Sequence, residues 1–265
     1  MCKNFMVKTL SSSNNFFDFK VVCLNIDEII DEIMNYIDET QTIERPTPIS
    51  LSCLNPHSFV VAQRDFKFKR ALINSTYLVC DGIGVYLAQF IASSSDRFSR
   101  ITGPDFFEHF MMRISKNKEA KVFFLGGDEE SNKILVSLVR ENFGLNNVEG
   151  FSPPFKDEFS DADNELIADR IDEFGPDVLW IGMSAPKQEK WMYANYDRLG
   201  ARFVGCIGAA FDFYTGRVPR APKILRVIGM EWVFRSIVKP KQLGRRNLAS
   251  NPRFVLLMLK QLFLK

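Results

Sequence analysis

Residues Ile181 to Trp191 read I-G-M-S-A-P-K-Q-E-K-W. The apolar run Val178 to Ile181 gives way to a glycine and small residues, and Pro186-Lys187-Gln188-Glu189-Lys190 then opens a predicted helix. Open α/β sheets present ligand sites in this way, because strand ends, backbone amides and a helix N-terminus meet at one edge. Gly182, Lys187 and Gln188 are therefore candidate binding residues, with a solvated helix-start charge as the competing account of Lys187.

The same handover recurs on either side. Ile49 to Leu54 is a predicted strand ending at Asn55-Pro56-His57, and Thr76 to Cys80 ends at Asp81-Gly82-Ile83-Gly84. Lys121 to Leu125 stops at Gly126-Gly127-Asp128, while Arg202 to Ile207 runs into Gly208-Ala209-Ala210-Phe211-Asp212. Helical lengths separate these runs: Ile29, Ile30, Ile33 and Ile37 keep helical spacing, and Phe106, Phe107 and Phe110 read as core rather than as a cofactor box. At least five apolar strands alternating with helices argue an α/β fold with a mostly parallel sheet covered on both faces. Asn55, Asp81, Gly126, Gly182 and Gly208 then share one rim. Ser93 to Ser99 reads as a polar break and Gly150 to Phe155 as a loop.

Composition narrows the class. With 265 residues, 46% hydrophobic and 25% charged, the chain can bury one generous core or two modest ones. The five cysteines contain no C-x-x-C pair, which reads as free thiols in a reducing compartment. His57 and His109 lack the spacing of a zinc site. Neither a secretory signal nor a run of the roughly 20 apolar residues that span a bilayer is visible, so a cytoplasmic protein is expected.

The net charge of +2 hides an asymmetry. From Arg217 to Lys265 there are 12 Lys and Arg against the single acid Glu231. That segment has no predicted strand; two helical stretches flank Lys239-Pro240, and aromatics interleave with the basic residues. It is expected to be a basic amphipathic appendage, residues 217–265, on a core of residues 1–216. Its partners should be anionic, with membrane lipid favoured and nucleic acid disfavoured.

These residues suit transfer from a phosphate-activated donor to a hydroxyl. Such a reaction needs a carboxylate to take the acceptor proton and cationic or amide donors for the departing phosphate. Asp81 is a candidate base, an N-cap being the competing account, and Arg100, Lys187 and Gln188 are candidate donors. No acidic pair stands in a loop suited to a divalent metal. Gly126-Gly127 resembles a phosphate or ribose cradle, although turn glycines explain it as well.

The motifs Cys53-Leu54-Asn55-Pro56, Asp81-Gly82-Ile83-Gly84, Arg100-Ile101-Thr102-Gly103-Pro104-Asp105, Ala185-Pro186-Lys187-Gln188-Glu189, Gly208-Ala209-Ala210-Phe211-Asp212, Arg220-Ala221-Pro222-Lys223 and Gly229-Met230-Glu231-Trp232 occur in this order. Together they resemble the WecG/TagA/CpsF glycosyltransferases, family 26, from about Val21 to Phe254.

The resemblance implies a Rossmann-like core and an inverting, metal-independent transfer without a cofactor. The donor would be a UDP-sugar and the acceptor a polyprenyl diphosphate-linked sugar at the inner face of the cytoplasmic membrane, for a cell-surface polysaccharide. Carried over by motif, Asp81 is the base, Asn55 and Gln188 lie near the sugar and acceptor, and Arg100 contacts phosphate or acceptor. Phe151 stands where an aromatic meets the uracil, Asp212 at a nucleotide contact, and Arg235 and Arg245 at a diphosphate. Gly82, Gly126, Gly127, Gly182 and Lys187 complete the binding set. Cys53 replaces the usual Thr, and a thiol is the poorer hydrogen-bond donor. A peripheral membrane protein that binds nucleotide sugar without turnover is the competing expectation, and a homo-oligomer stays open because the apolar appendage can pack on a second subunit as well as on lipid.

Overall fold

The computed structural model describes residues 13–92, 99–208 and 210–263. Cys2, most of the polar break (93–98) and Ala209 lie outside the described residues. Six strands form one sheet: β3 (Ile49–Leu54), β4 (Tyr77–Cys80), β5 (Val122–Gly126), β6 (Val148–Phe151), β7 (Val178–Gly182) and β8 (Phe203–Cys206). Their order is β4-β3-β8-β7-β5-β6 and every pairing is parallel. The chain grows outward from β3 to β4 at one edge and from β5 to β6 at the other, with β7 and β8 filling the space between, and such a switch in direction opens a crevice beyond the strand C-termini.

Period-2 alternation assigns each strand residue to a face. Phe124, Trp180 and Phe203 enter one core, whereas Leu125, Ile181 and Val204 enter another on the opposite face. The first core is aromatic. Phe107 and Phe110 from α5 (Gly103–Ile114) pack edge-on against Trp180 at 5.2 and 5.3 Å, so these rings are core, as the spacing predicts. α1 (Ile26–Glu39), α6 (Glu129–Phe143) and α9 (Ala210–Tyr214) complete this layer. α7 (Asp161–Phe174) and α8 (Lys187–Asn195) cover the opposite face. A third cluster gathers α2 (Pro56–Ala62), α3 (Phe66–Ile73) and α4 (Ile83–Ala92).

Two elements differ from the sequence reading. Val148 to Phe151 is an edge strand rather than the start of a loop, and only Val148 is buried, so it carries no apolar period. An antiparallel hairpin, β1 (Ser13–Phe16) with β2 (Phe19–Val22), precedes α1 and turns at Phe17, whose φ is 55°. Its Phe16 and Phe19 are buried beside Phe59.

Beyond Gly216 the chain forms three helices rather than two: α10 (Lys223–Val227), α11 (Glu231–Val238) and, after a π-helical turn, α12 (Arg245–Phe263). Ion pairs from Arg220 to Asp105 and Glu108 tie its start to α5. At its end Phe254, 4% exposed, meets Phe59 edge-on at 5.4 Å, and His57 Nδ1 shares a 2.7 Å hydrogen bond with Ser250 Oγ. The appendage thus arches over the strand ends of β3 and β4. No described helix is long and apolar enough to cross a membrane.

Candidate active site

β3 and β4 are paired in register, Leu54 against Cys80, so the next residues, Asn55 and Asp81, emerge side by side. Asn55 caps α2, its Oδ1 accepting from Ser58 N at 2.9 Å, which leaves its Nδ2 to donate to Asp81 Oδ2 at 3.4 Å. Asp81 is itself fixed by its backbone N–H, which donates to Leu54 O at 2.9 Å. Asn55 thus serves both the helix start and the Asp81 carboxylate.

Both residues sit in a cavity of about 680 Å³ closed by the appendage. Gly82 and Arg100 line it from the sheet side, and Arg235 lines it from α11. Glu231 and Arg246 also line it, although neither was among the sequence candidates. Arg245 is exposed and lies outside. Successive helix residues point about 100° apart, so the arginine that faces inward depends on where α12 starts, and no local signal gives that phase.

Opposing forces act on Asp81. Burial pushes its carboxyl above the ordinary aspartate range; Arg235, the Asn55 hydrogen bond, Arg100 and Arg246 push back. The Glu231 carboxyl is raised too, by burial first, with Asp81 and Asp105 adding to the push and Arg220 and Arg235 opposing it. Burial and then Arg246 depress His57 to about 4, so it is neutral at physiological pH. The cavity combines a half-buried carboxylate with three guanidinium groups, a set that can accept a proton and balance phosphate charge.

The remaining sequence candidates lie outside this cavity: Cys53 on β3, Phe151 at the end of β6, and the others at or after the ends of β5, β7 and β8. Gln188 is buried: its Oε1 accepts from Gly208 N at 3.1 Å and its Nε2 donates to Glu189 Oε1 at 2.8 Å. It therefore shapes the β8 end in addition to any ligand contact. Glu189 is 1% exposed, its Oε2 has no partner among the described residues, and burial pushes it up to about 7. Lys187 donates to Lys156 O and stands 3.8 Å over the Phe159 ring, so it fastens a loop.

Gly126 at φ 119° abuts Gly182, whose carbonyl oxygen a Cβ would approach to 2.7 Å, and Gly182 is pressed by the Phe211 ring. Close packing therefore requires both glycines. Gly127, at φ 69°, faces more open space. Phe151 ends the edge strand. Asp212 on α9 accepts from Lys239 Nζ at 3.4 Å, and Arg235 lies 4.9 Å over the neighbouring Phe213 ring, so Arg235 joins this region to the cavity.

The sequence profile described as "Glycosyl transferase WecG/TagA/CpsF family" matches residues 14–265. This chain belongs to the WecG/TagA/CpsF family of glycosyltransferases. A relative from Bacillus subtilis (strain 168), named N-acetylglucosaminyldiphosphoundecaprenol N-acetyl-beta-D-mannosaminyltransferase, is 27% identical over 240 residues, 89% of this chain and 90% of that protein. One of the same name from Staphylococcus aureus (strain MRSA252) is 28% identical over 185 residues, 69% of each chain.

Within this WecG/TagA/CpsF chain, the motif residues divide into cavity-lining and structural sets. Arg220 of the R-A-P-K motif pairs with Asp105 of the T-G-P-D motif, which docks appendage on core. Cys53 is directed towards Gly103, where a Cβ would stand 3.8 Å from its Sγ. Burial, then Asp81 and Glu189, push its thiol far up, so it stands uncharged near the Asp81 carboxyl.

Proposed function

We propose that this glycosyltransferase moves a sugar from a UDP-sugar to an undecaprenyl diphosphate-linked sugar with inversion and without a metal, for a cell-surface polysaccharide. The sugar would be N-acetylmannosamine, its uronic acid or a hexose. The observation that carries this reading is the half-buried Asp81 beside Asn55, sharing one cavity with Arg100, Arg235 and Arg246. The names of the two relatives support the acceptor class.

In the reaction, the acceptor hydroxyl oxygen attacks the anomeric carbon from the face opposite the diphosphate. The new C–O bond forms as the bond to the phosphate oxygen breaks, Asp81 takes the hydroxyl proton, and UDP departs with the bonding electrons. Arginine charge offsets the two diphosphates. Residues 1–216 would act as the catalytic core and bind the nucleotide near Gly127, Phe151 and Asp212. Residues 217–265 would supply Arg235, Glu231 and Arg246 and hold the protein on inner-face lipid, where the acceptor resides.

The test is a panel of UDP-sugars with the lipid-linked acceptor, read as acceptor-dependent UDP release. One sugar should stand out. Nucleotide-sugar binding without UDP release for any of them would replace this reading with that of a sensor.

A further inference from the structure

Exposed apolar side chains collect around the cavity mouth in helical stripes. On α4, Leu87, Phe90 and Ile91 are exposed at i, i+3, i+4 spacing, Phe90 by 64%. Ile224 and Val227 of α10 repeat that spacing with its C-cap Ile228, and on α12 Leu259 stands three residues after Leu256 and four after Val255, so the three share one face. The start of α4 touches both sides of the appendage: a Cβ on Gly229 would come within 2.6 Å of Ile83, and one on Gly84 would lie 3.7 Å from Phe254. Leu87, Ile91, Val255 and Leu259 line the cavity while remaining exposed, so they form its lip.

Cations flank the stripes. Lys223, Lys241, Arg245, Arg253 and Lys260 are exposed, and the ion pairs of this segment among the described residues use Arg217, Arg220, Arg226 and Lys239 instead. A two-fold contact between copies would set this basic patch against itself. An anionic bilayer offers the opposite charge and an apolar interior to the same surface.

We infer that α4, a helix of the sheet-bearing core, forms with α10 and α12 a single docking surface for an anionic lipid bilayer and seats the cavity mouth at the headgroups. This rests on the membrane contact proposed above and adds to it: the core itself enters the interface. The polar floor at Asp81 would then face a lipid-anchored acceptor without the acceptor leaving the membrane.

Phe90 does not line the cavity, so Phe90→Asp tests the surface without touching the site. Phe66→Asp, at a 75% exposed position on α3, is the control for loss of an exposed phenylalanine elsewhere. The full-length protein is sedimented with vesicles of phosphatidylglycerol or of phosphatidylcholine. Wild type and Phe66→Asp should prefer phosphatidylglycerol, and Phe90→Asp should partition roughly tenfold less. UDP release with a water-soluble short-chain acceptor analogue, and the melting temperature, should be unchanged by Phe90→Asp.

Wild-type partitioning by Phe90→Asp would overturn the role of α4 and leave the appendage contact standing. A lower mass by light scattering for Phe90→Asp, with vesicle binding intact, would assign the surface to a second copy. Failure of the wild type itself to bind either vesicle would remove the membrane contact as well. Vesicle binding in a protein that releases no UDP would refute only the proposed transfer.

Discussion

Burial raises the Asp81 carboxyl, and a raised carboxyl is the stronger proton acceptor once ionised. The same shift sets a cost in stability. A group whose folded pKa exceeds its unfolded value stabilises the fold below the unfolded pKa, and that contribution disappears as pH rises through the folded one. Asp81→Asn keeps the shape and removes the charge. Transfer should fall by about 10² to 10⁴-fold in UDP-release assays, while the melting temperature at pH 7 stays at or above that of the wild type. The acid limb of kcat/KM should lie above the ordinary aspartate value of about 3.9. Glu189 follows the same sign: raised from 4.5 to about 7, its stabilising contribution is full below pH 4.5 and lost towards pH 7. Glu189→Gln retains an acceptor for Gln188 and should remove that slope, on the order of 3 kcal/mol, in urea titrations between pH 5 and 8. Neither shift is legible from the residue types. Asp81 and Glu189 are ordinary acids in the sequence, and only burial in the folded chain changes them.

Among elements, α12 docks on α2 through Phe254, with Leu257 and Met258 packed beside it. Phe254 fills the space beside Phe59, and Ser250 meets His57. Phe254→Ala should cost about 3–5 kcal/mol of that docking and expose the segment after Gly216 to limited proteolysis, with β-sheet circular dichroism retained. The parallel strands were legible because burial on both faces makes them continuous apolar runs, and Trp180 with its phenylalanine neighbours was legible as core. β6 was not, since an edge strand with one buried residue has no period to detect. The hairpin of β1 and β2 escaped too; its polar residues conceal Phe16 and Phe19, which are buried in the cluster that also holds Phe59 and Phe68. α10 was merged with its neighbour, as five residues scarcely complete a helical turn and a half.

At the scale of the whole molecule, the appendage is part of the site rather than an addition to it. Truncation after Gly216 would remove Glu231, Arg235 and Arg246 from the cavity and uncover Phe59. UDP release with the lipid-linked acceptor should fall by at least about 10²-fold, and the melting temperature should drop; a truncated chain with wild-type activity would place the chemistry wholly in residues 1–216. The sequence by itself determined the alternating α/β order, the rim residues Asn55, Asp81, Gly126, Gly182 and Gly208, the basic C-terminal segment and the family motifs. Each of these is local: an apolar period, a strand-to-helix boundary, a run of charge. The tertiary structure alone decided that Asn55 and Asp81 share one cavity with Arg100, Arg235 and Arg246. It also decided that Arg246 rather than Arg245 faces inward, that Gln188 is held by Gly208 and Glu189, and that Lys187 fastens a loop. Those outcomes depend on sheet register, helix phase and the path of the appendage, which brings Arg235 and Arg246 to Asp81 from more than a hundred positions away in the chain. The stretch from Ile181 to Trp191 shows both kinds: its strand-to-helix turn could be read directly, but the duties of its side chains could not.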